Sequence, residues 1–329
     1  MECCTIIVDG RDRFSTTTAC LETLYANTPE PFDLIVVLGG VPEQLQAEWI
    51  KRFGERATFI FRPGFLNQAQ ARNIGLRQTK TKFAVLIDND NFVQPGWLSA
   101  LLRCQAETGA VMVMPLILEE VRVIHCAGNE LYLTYEGTRT FGTKIVRHHG
   151  KVFAPKNNLM RRQVDYAEMH CMLVEVEPTL RLGAFDECIL EVNEVDSGLT
   201  WGRAGREVWF EPASVVRYDM HAPIAVEDIR FFTWRWDMRA ILEGYRYFEQ
   251  KWGIDITEHG IFRNFLLNYN KQIGLLPRLV PSAMSLQLDR LIGLIRTGCG
   301  RLLGAPRALF RRAKAARMGF YEWPTPVHE

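Results

Sequence analysis

The apolar run Phe83-Ala84-Val85-Leu86-Ile87 ends abruptly in Asp88-Asn89-Asp90, and Pro95-Gly96 follows after a short loop, as at the opening of a helix. Hard divalent cations take oxygen ligands, and Mg²⁺ is commonly held by one or two carboxylates together with substrate phosphates. Two carboxylates at a strand end therefore suit a metal–diphosphate site. The plain alternative is a turn, which Asp and Asn also favour. A second acidic set, Asp186, Glu187, Glu191, Glu194 and Asp196, lies in the other half of the chain. Mutual repulsion in such a set can raise one carboxyl toward the range a general base needs, whereas a solvated helix face is the reading without chemistry.

The elements that must position these groups are legible from periodicity and punctuation. Candidate strands are 3–9, 33–38, 57–61, 83–88 and 110–114, alternating with helix candidates 16–27, 42–53, 67–79 and 95–107. This is the βαβ pattern of a mainly parallel sheet. Ligands of such sheets bind beyond the carboxyl ends of the strands, so Asp9, Leu38 and Asp88 are expected at one crevice. Between 121 and 158, short alternating runs among Gly, Thr and basic residues predict hairpins or loops. A strand is expected over 170–176, where His170 and the preceding Glu168 either line a pocket or belong to the core or rim. One long helix is expected over 226–252, its aromatic residues packing it onto the sheet.

Length and composition set the frame. With 329 residues, 47% of them hydrophobic and 23% charged, the chain can bury one large core or two smaller ones. A formal net charge of +1 provides no global basic field, and no nucleic-acid partner is expected. The eight cysteines form no C-x-x-C pair and no dense framework, which reads as reduced thiols. The start shows no basic flank before a long apolar stretch, and no run of about 18 apolar residues follows, so a cytoplasmic location is expected.

The acidic segments and their surroundings resemble family 2 glycosyltransferases of the GT-A fold, over roughly the first 220 residues. Asp88-Asn89-Asp90 looks like the family's D-x-D motif, and Gln70-Ala71-Arg72-Asn73-Ile74-Gly75-Leu76 is similar to the segment that precedes it. Gly183-Ala184-Phe185-Asp186-Glu187 looks like the family's G-x-F-D-E, and Asn193-Glu194-Val195-Asp196-Ser197-Gly198-Leu199 resembles its E-D-x-D-L. By this resemblance Asp90 would coordinate Mg²⁺ or Mn²⁺, and Asp88 would meet the ribose or a metal-bound water, with Asn89 lying between them in the donor site. Arg72 would face the nucleotide, Asp9 the base or ribose, and His221 sits where some members place a metal-contacting His. The family's catalytic base falls on Glu194, with Asp196 in reserve. Departures are Asp9-Gly10-Arg11-Asp12-Arg13 in the first strand, Leu38 where the family usually has an Asp, and Asn193-Glu194 in place of Glu-Asp.

The resemblance implies a GT-A catalytic domain over 1–220 and a helical region over 221–329 on the acceptor side. The implied activity is inverting transfer from a nucleotide-diphosphate sugar to a hydroxyl of a saccharide or lipid-linked acceptor. A catalytically silent GT-A scaffold or a sugar nucleotidylyltransferase is the alternative, although the latter's Gly-rich G-x-G-T-R loop is missing after the first strand. From 290 to 318 there are eight Lys or Arg residues and no acid, interleaved with apolar residues at the helical spacing 288, 291, 292 and 295. Such a segment can lie on an anionic membrane, and peripheral contact through 286–318 at the inner face is the expectation, a helix packed on the domain being the alternative.

Overall fold

The computed structural model describes residues 3–119, 122–154, 157–219, 224–256 and 316–317. The alternation read from the sequence is present as β1 (Cys4–Asp9), α1 (Thr17–Asn27), β2 (Phe32–Gly39), α2 (Glu43–Phe53), β3 (Thr58–Arg62), α3 (Gln68–Gln78), β4 (Phe83–Asp88) and, beyond the short β5 (Asn91–Val93), α4 (Trp97–Thr108). β6 (Met112–Glu119) runs on past the expected end at 114. The stretch expected as hairpins contains β7 (Val123–Cys126), β8 (Asn129–Glu136) and β9 (Arg139–Val146), followed by β10 (Arg162–Val164) and β11 (Cys171–Glu175). After α5 (Val176–Arg181) and α6 (Asn193–Arg203) comes β12 (Val208–Tyr218).

The main sheet has the order β10-β12-β6-β11-β4-β1-β2-β3, with β5 on β12 and β7 on β6. β1, β2, β3 and β4 run parallel, and β11 lies antiparallel between β4 and β6. Successive side chains of a strand point to opposite faces. Ile6 and Val8 of β1 and Val85 and Ile87 of β4 therefore share one core with Leu21 of α1, Trp49 of α2 and Trp97 of α4. Ile7, Ala84 and Leu86 point the other way, into a second core with Ala69, Ala71 and Leu76 of α3 and Trp201 of α6. Helices thus cover both faces of a mainly parallel sheet.

The long helix expected over 226–252 is in fact interrupted. A 3-10 turn (Val226–Asp228) leads into α7 (Ile229–Arg235), and α8 (Met238–Trp252) starts afresh. The reason is local: the Asp237 carboxylate accepts the Ala240 N–H at 2.9 Å and caps a new N-terminus, a signal masked by the aromatic periodicity around it.

Contacts divide the described chain into two units. Residues up to Leu131 together with Lys144–Gly253 form one, and Tyr132–Thr143 with the described residues from Ile254 onward form the other. The second contains parts of β8 and β9 with the two-residue strands β13 (Ile254–Asp255) and β14 (Ala316–Arg317). Ala316–Arg317 is thus strand where helix was expected, and the rest of the 286–318 segment lies outside the described residues. No helix among the described residues is long and apolar enough to cross a membrane. Their cysteines are free thiols, and Cys4, Cys20, Cys104, Cys126 and Cys171 are buried.

Two glycines let helices reach the site. A Cβ at Gly75 would stand 2.5 Å from Ile7 Cγ2, so α3 lies directly against β1. A Cβ at Gly198 would stand 2.6 Å from the Asp165 carbonyl oxygen and 2.5 Å from Tyr166 Cβ, so α6 is pressed onto the 165–166 backbone. Backbone yields less readily than a flexible side chain, so Gly198→Ala is expected to cost about 1–3 kcal/mol by overpacking. Urea denaturation checks this, and an unchanged midpoint would contradict the close approach.

Candidate active site

The site starts from β1 and β4, whose register sets Asp9 beside Asp88 at adjoining carboxyl ends. β11 runs antiparallel on the far side of β4, pairing Cys171 with Ile87, which brings His170 alongside Asp88. On the opposite core face, α3 begins in a capping box between Asn67 and Gln70 and presents Gln68 and Arg72 one turn apart. Gln68 Nε2 and Arg72 Nη2 both donate to Asp88 Oδ1 at 2.6 Å. Arg72 Nε donates to Asp9 Oδ1 at 2.9 Å, and Arg72 Nη2 also to the Met169 carbonyl at 2.6 Å.

Asp88 Oδ2 receives Arg11 Nη1 at 3.3 Å and lies 3.1 Å from His170 Nδ1. Asp90 is different. Its Oδ1 accepts from Asn91 Nδ2 at 3.0 Å, whereas its Oδ2 is buried without a hydrogen-bond partner among the described residues. Ligand atoms of Asp88, Asp90 and His170 lie within 4.8 Å of one another. A buried, unpartnered carboxylate oxygen beside a second carboxylate and an imidazole is the donor set of a cation site.

The electrostatics divide these acids. Burial pushes Asp88 up, but Arg72, the His170 hydrogen bond and Arg11 together outweigh it and hold it well below the usual carboxylate range. Burial raises Asp9 to about 8, with Arg72 opposing and Asp88 adding to the rise. The contrast follows from donor count: one guanidinium serves both acids, and Asp88 has Gln68, Arg11 and His170 besides. Asp90 is pushed well above its ordinary value by burial and by Asp88, against Arg11. A cation there would ionise it, so binding would release a proton. His170 is held well below its ordinary value by burial and by Arg11, which leaves it a neutral ligand.

The expected donor-site residues have these places in the structure. Arg72 is fully buried and engaged by Asp9, Asp88 and Met169. Asp9 is likewise fully buried, its Oδ1 turned to that guanidinium. Asn89 is a pin for the loop after β1, accepting from the Arg11 N–H at 3.1 Å and donating to the Arg13 carbonyl at 2.5 Å and Thr17 Oγ1 at 2.8 Å. His221 lies outside the described residues. Arg11 and Tyr218 escaped the sequence reading. Arg11 lies over the Tyr218 ring at 5.6 Å, and that ring lies 4.0 Å from the His170 ring. Arg11 stood in the segment that departs from the family, and Tyr218 joins the site only through strand pairing.

The second acidic set is dispersed among cations rather than self-repelling. Asp186 and Asp196 both pair with Lys251 Nζ at 2.8 Å, Glu191 pairs with Arg235 at 2.7 Å, and Glu194 pairs with Lys144. Asp196 Oδ1 also accepts from Trp252 Nε1 at 2.8 Å, and its pKa is raised chiefly by burial, with Lys251 opposing. Glu194 and Asp196 stand in the first turn of α6, whose dipole favours carboxylates, but two residues apart they leave the helix in different directions. Asp196 lines a hollow of about 650 Å³ with Asp186, Arg203, Lys251 and Trp252. Glu194 faces Lys144; burial lowers that ammonium, and Glu194 with Glu168 more than reverses the effect. Glu168 in turn lies with His125 and His170. The helix is entered through Val192 at φ 63°, a strained conformation for a β-branched residue.

The sheet order and the helices on both of its faces define a GT-A fold, shared with a solved structure of GalNAc-T7 with UDP, GalNAc and Mn²⁺ at a TM-score of 0.54 and 16% identity. The match covers 77% of this chain and 48% of that one, so the chain spans about half the length of that protein. Residues 5–167 match the model of Glycosyl transferase family 2. No curated protein matches the chain.

Two predictions follow from the shared guanidinium. Arg72→Met leaves two adjacent carboxylates buried without their cation and is expected to cost about 3–5 kcal/mol in urea denaturation; a loss under about 1 kcal/mol would contradict the clamp. Asp9 binds its proton more tightly folded than unfolded, so its contribution is full below the ordinary value of 3.8 and is lost as pH rises through about 8. Wild type should therefore lose stability relative to Asp9→Asn across that window, by at most about 1.4 kcal/mol per pH unit; parallel curves would show Asp9 ionised throughout.

Proposed function

We propose that this domain transfers a sugar from a nucleotide-diphosphate donor to an acceptor hydroxyl with inversion. The observation that carries the reading is the cluster of Asp88, Asp90 and His170, in which Asp90 Oδ2 is buried and has no hydrogen-bond partner among the described residues. Those three side chains would hold Mg²⁺ or Mn²⁺, with the mixed carboxylate–imidazole set suiting Mn²⁺. Bound there, the ion would supply charge stabilisation for the departing diphosphate. Arg72 and Gln68 fix Asp88 in place. Arg11, partly exposed and beside Asp88, is the cation best placed to meet a diphosphate.

Inverting transfer is one displacement at the anomeric carbon, in which a positioned base takes the acceptor proton. Glu194 is the better base because Asp196 is held by both Lys251 and Trp252 in a separate hollow. Lys144 orients Glu194 and must yield part of that contact to the incoming hydroxyl. The acceptor is a saccharide or lipid-linked alcohol, the class that the family resemblance implies. Peripheral membrane contact and a place at the cytoplasmic face rest on the basic segment 286–318. A catalytically silent donor-binding subunit is the second reading, favoured by the ion pair that engages Glu194.

Nucleoside diphosphates with Mn²⁺ are expected to raise the melting temperature of wild type but not of Asp90→Ala. Glu194→Gln should lower kcat for transfer or donor hydrolysis about 10²–10⁴-fold with donor binding retained, and Asp196→Asn should have the smaller effect. Donor binding with turnover indifferent to Glu194→Gln would favour the silent reading, and no melting shift with any nucleotide would refute donor binding itself.

A further inference from the structure

We propose that the protein has a second metal centre, formed by Glu119, His125 and His149, which takes a borderline transition cation of the Zn²⁺ type. One ligand atom from each of the three lies within 4.8 Å of the others. None of them belongs to the Asp88, Asp90 and His170 set.

The three side chains are brought together by backbone pairing. Glu119 ends β6 and His125 lies in β7, and these strands pair antiparallel with Glu119 opposite Val123. His149 stands in the turn after β9, and that turn is tied to β7 by Gly150 N–H to Ile124 O and Ile124 N–H to Lys151 O, both at 2.8 Å. Donors set by paired strands and a tied turn need little reorganisation to close on an ion.

The hydrogen bonds then prepare the ligands. His149 Nδ1 lies 2.9 Å from the His125 carbonyl oxygen, which can only accept, so Nδ1 carries the proton and Nε2 keeps its lone pair. Metal-bound histidines typically have this second hydrogen bond to a carbonyl or carboxylate. His125 Nδ1 lies 2.8 Å from Glu119 Oε1, a carboxylate oxygen that accepts, so a proton sits between the two atoms and an ion that takes both would displace it. Two imidazoles and one carboxylate are a set that Zn²⁺, Fe²⁺ or Ni²⁺ accepts and that Mg²⁺ does not favour. Solvent has access: the Glu119 and His125 side chains are 18% and 17% exposed, and His149 is exposed.

The centre would also reach the donor site. The His125 ring packs edge-on against His170 at 4.8 Å and against Tyr218 at 5.4 Å. An ion on His125 therefore immobilises the wall against which His170 and Tyr218 rest, and so acts on Asp88 from behind.

The test is Zn²⁺ titration of chelator-stripped protein by competition with a chromophoric chelator, carried out in Asp90→Ala so that the other cluster is disabled. One equivalent of Zn²⁺ should bind to Asp90→Ala, at least about tenfold more weakly when His149→Ala is added, and His149→Cys, which keeps a zinc ligand on the same exposed turn, should restore binding. Zn²⁺ should raise the melting temperature of Asp90→Ala and not of the double variant, and metal-free melts that coincide would show that folding is intact. No equivalent bound by Asp90→Ala, or binding indifferent to His149→Ala, would overturn the proposal. Neither result depends on whether the protein binds a nucleotide sugar.

Discussion

One guanidinium organises the tip of the sheet. Arg72 is fully buried and is shared by the carboxylates that end two adjacent strands, Asp9 and Asp88, with the Met169 carbonyl as a third acceptor. Without that cation the two acids would face each other in a region of low polarity, where neither could stay charged. The acids differ: Asp88 collects the remaining donors and is held well below the usual carboxylate range, whereas burial raises Asp9 to about 8.

The consequences run outward. With Asp88 compensated by Arg72 and Arg11, Asp90 keeps an oxygen without a hydrogen-bond partner among the described residues, as do Asp9 and Asp12, and a proton or a cation can balance its charge. The neighbour of Arg72 completes a second connection. Asn73 donates to the Phe185 carbonyl at 2.8 Å and accepts the Phe185 N–H at 3.1 Å. The Arg72-Asn73 pair thus links the strand tips to the Phe185 segment leading to α6. The Arg72-Asn73 segment builds the frame around the acids.

Much of the architecture was legible from the chain. The strands β1 to β4 and the helices between them follow from local periodicity and from punctuation by Gly, Pro and Asp, signals that need no distant partner. The aspartate pair was legible for the same reason, since an apolar strand that stops at carboxylates announces itself. The break at Asp237 was not, because an aromatic-rich helical pattern continues across a cap. Nor were the contributions of Arg11, Tyr218 and Lys144. Tyr218 enters through pairing of β12 with β5, and Lys144 reaches Glu194 across 50 positions of sequence.

The sequence by itself determined which segments form the sheet, which end of it is acidic, and that two sets of carboxylates lie in separate halves of the chain. Those properties depend on spacing and on side-chain type, both local. Only the tertiary structure decided which carboxylates are compensated and which is left open. A carboxyl's state depends on burial and on the cations within a few ångströms of it, and here those cations come from other strands, helices and loops. The acids that most resemble a ladder of repelling charges in sequence, 186 to 196, meet cations in space, Asp186 and Asp196 sharing Lys251, whereas Asp90 keeps an oxygen without a hydrogen-bond partner among the described residues.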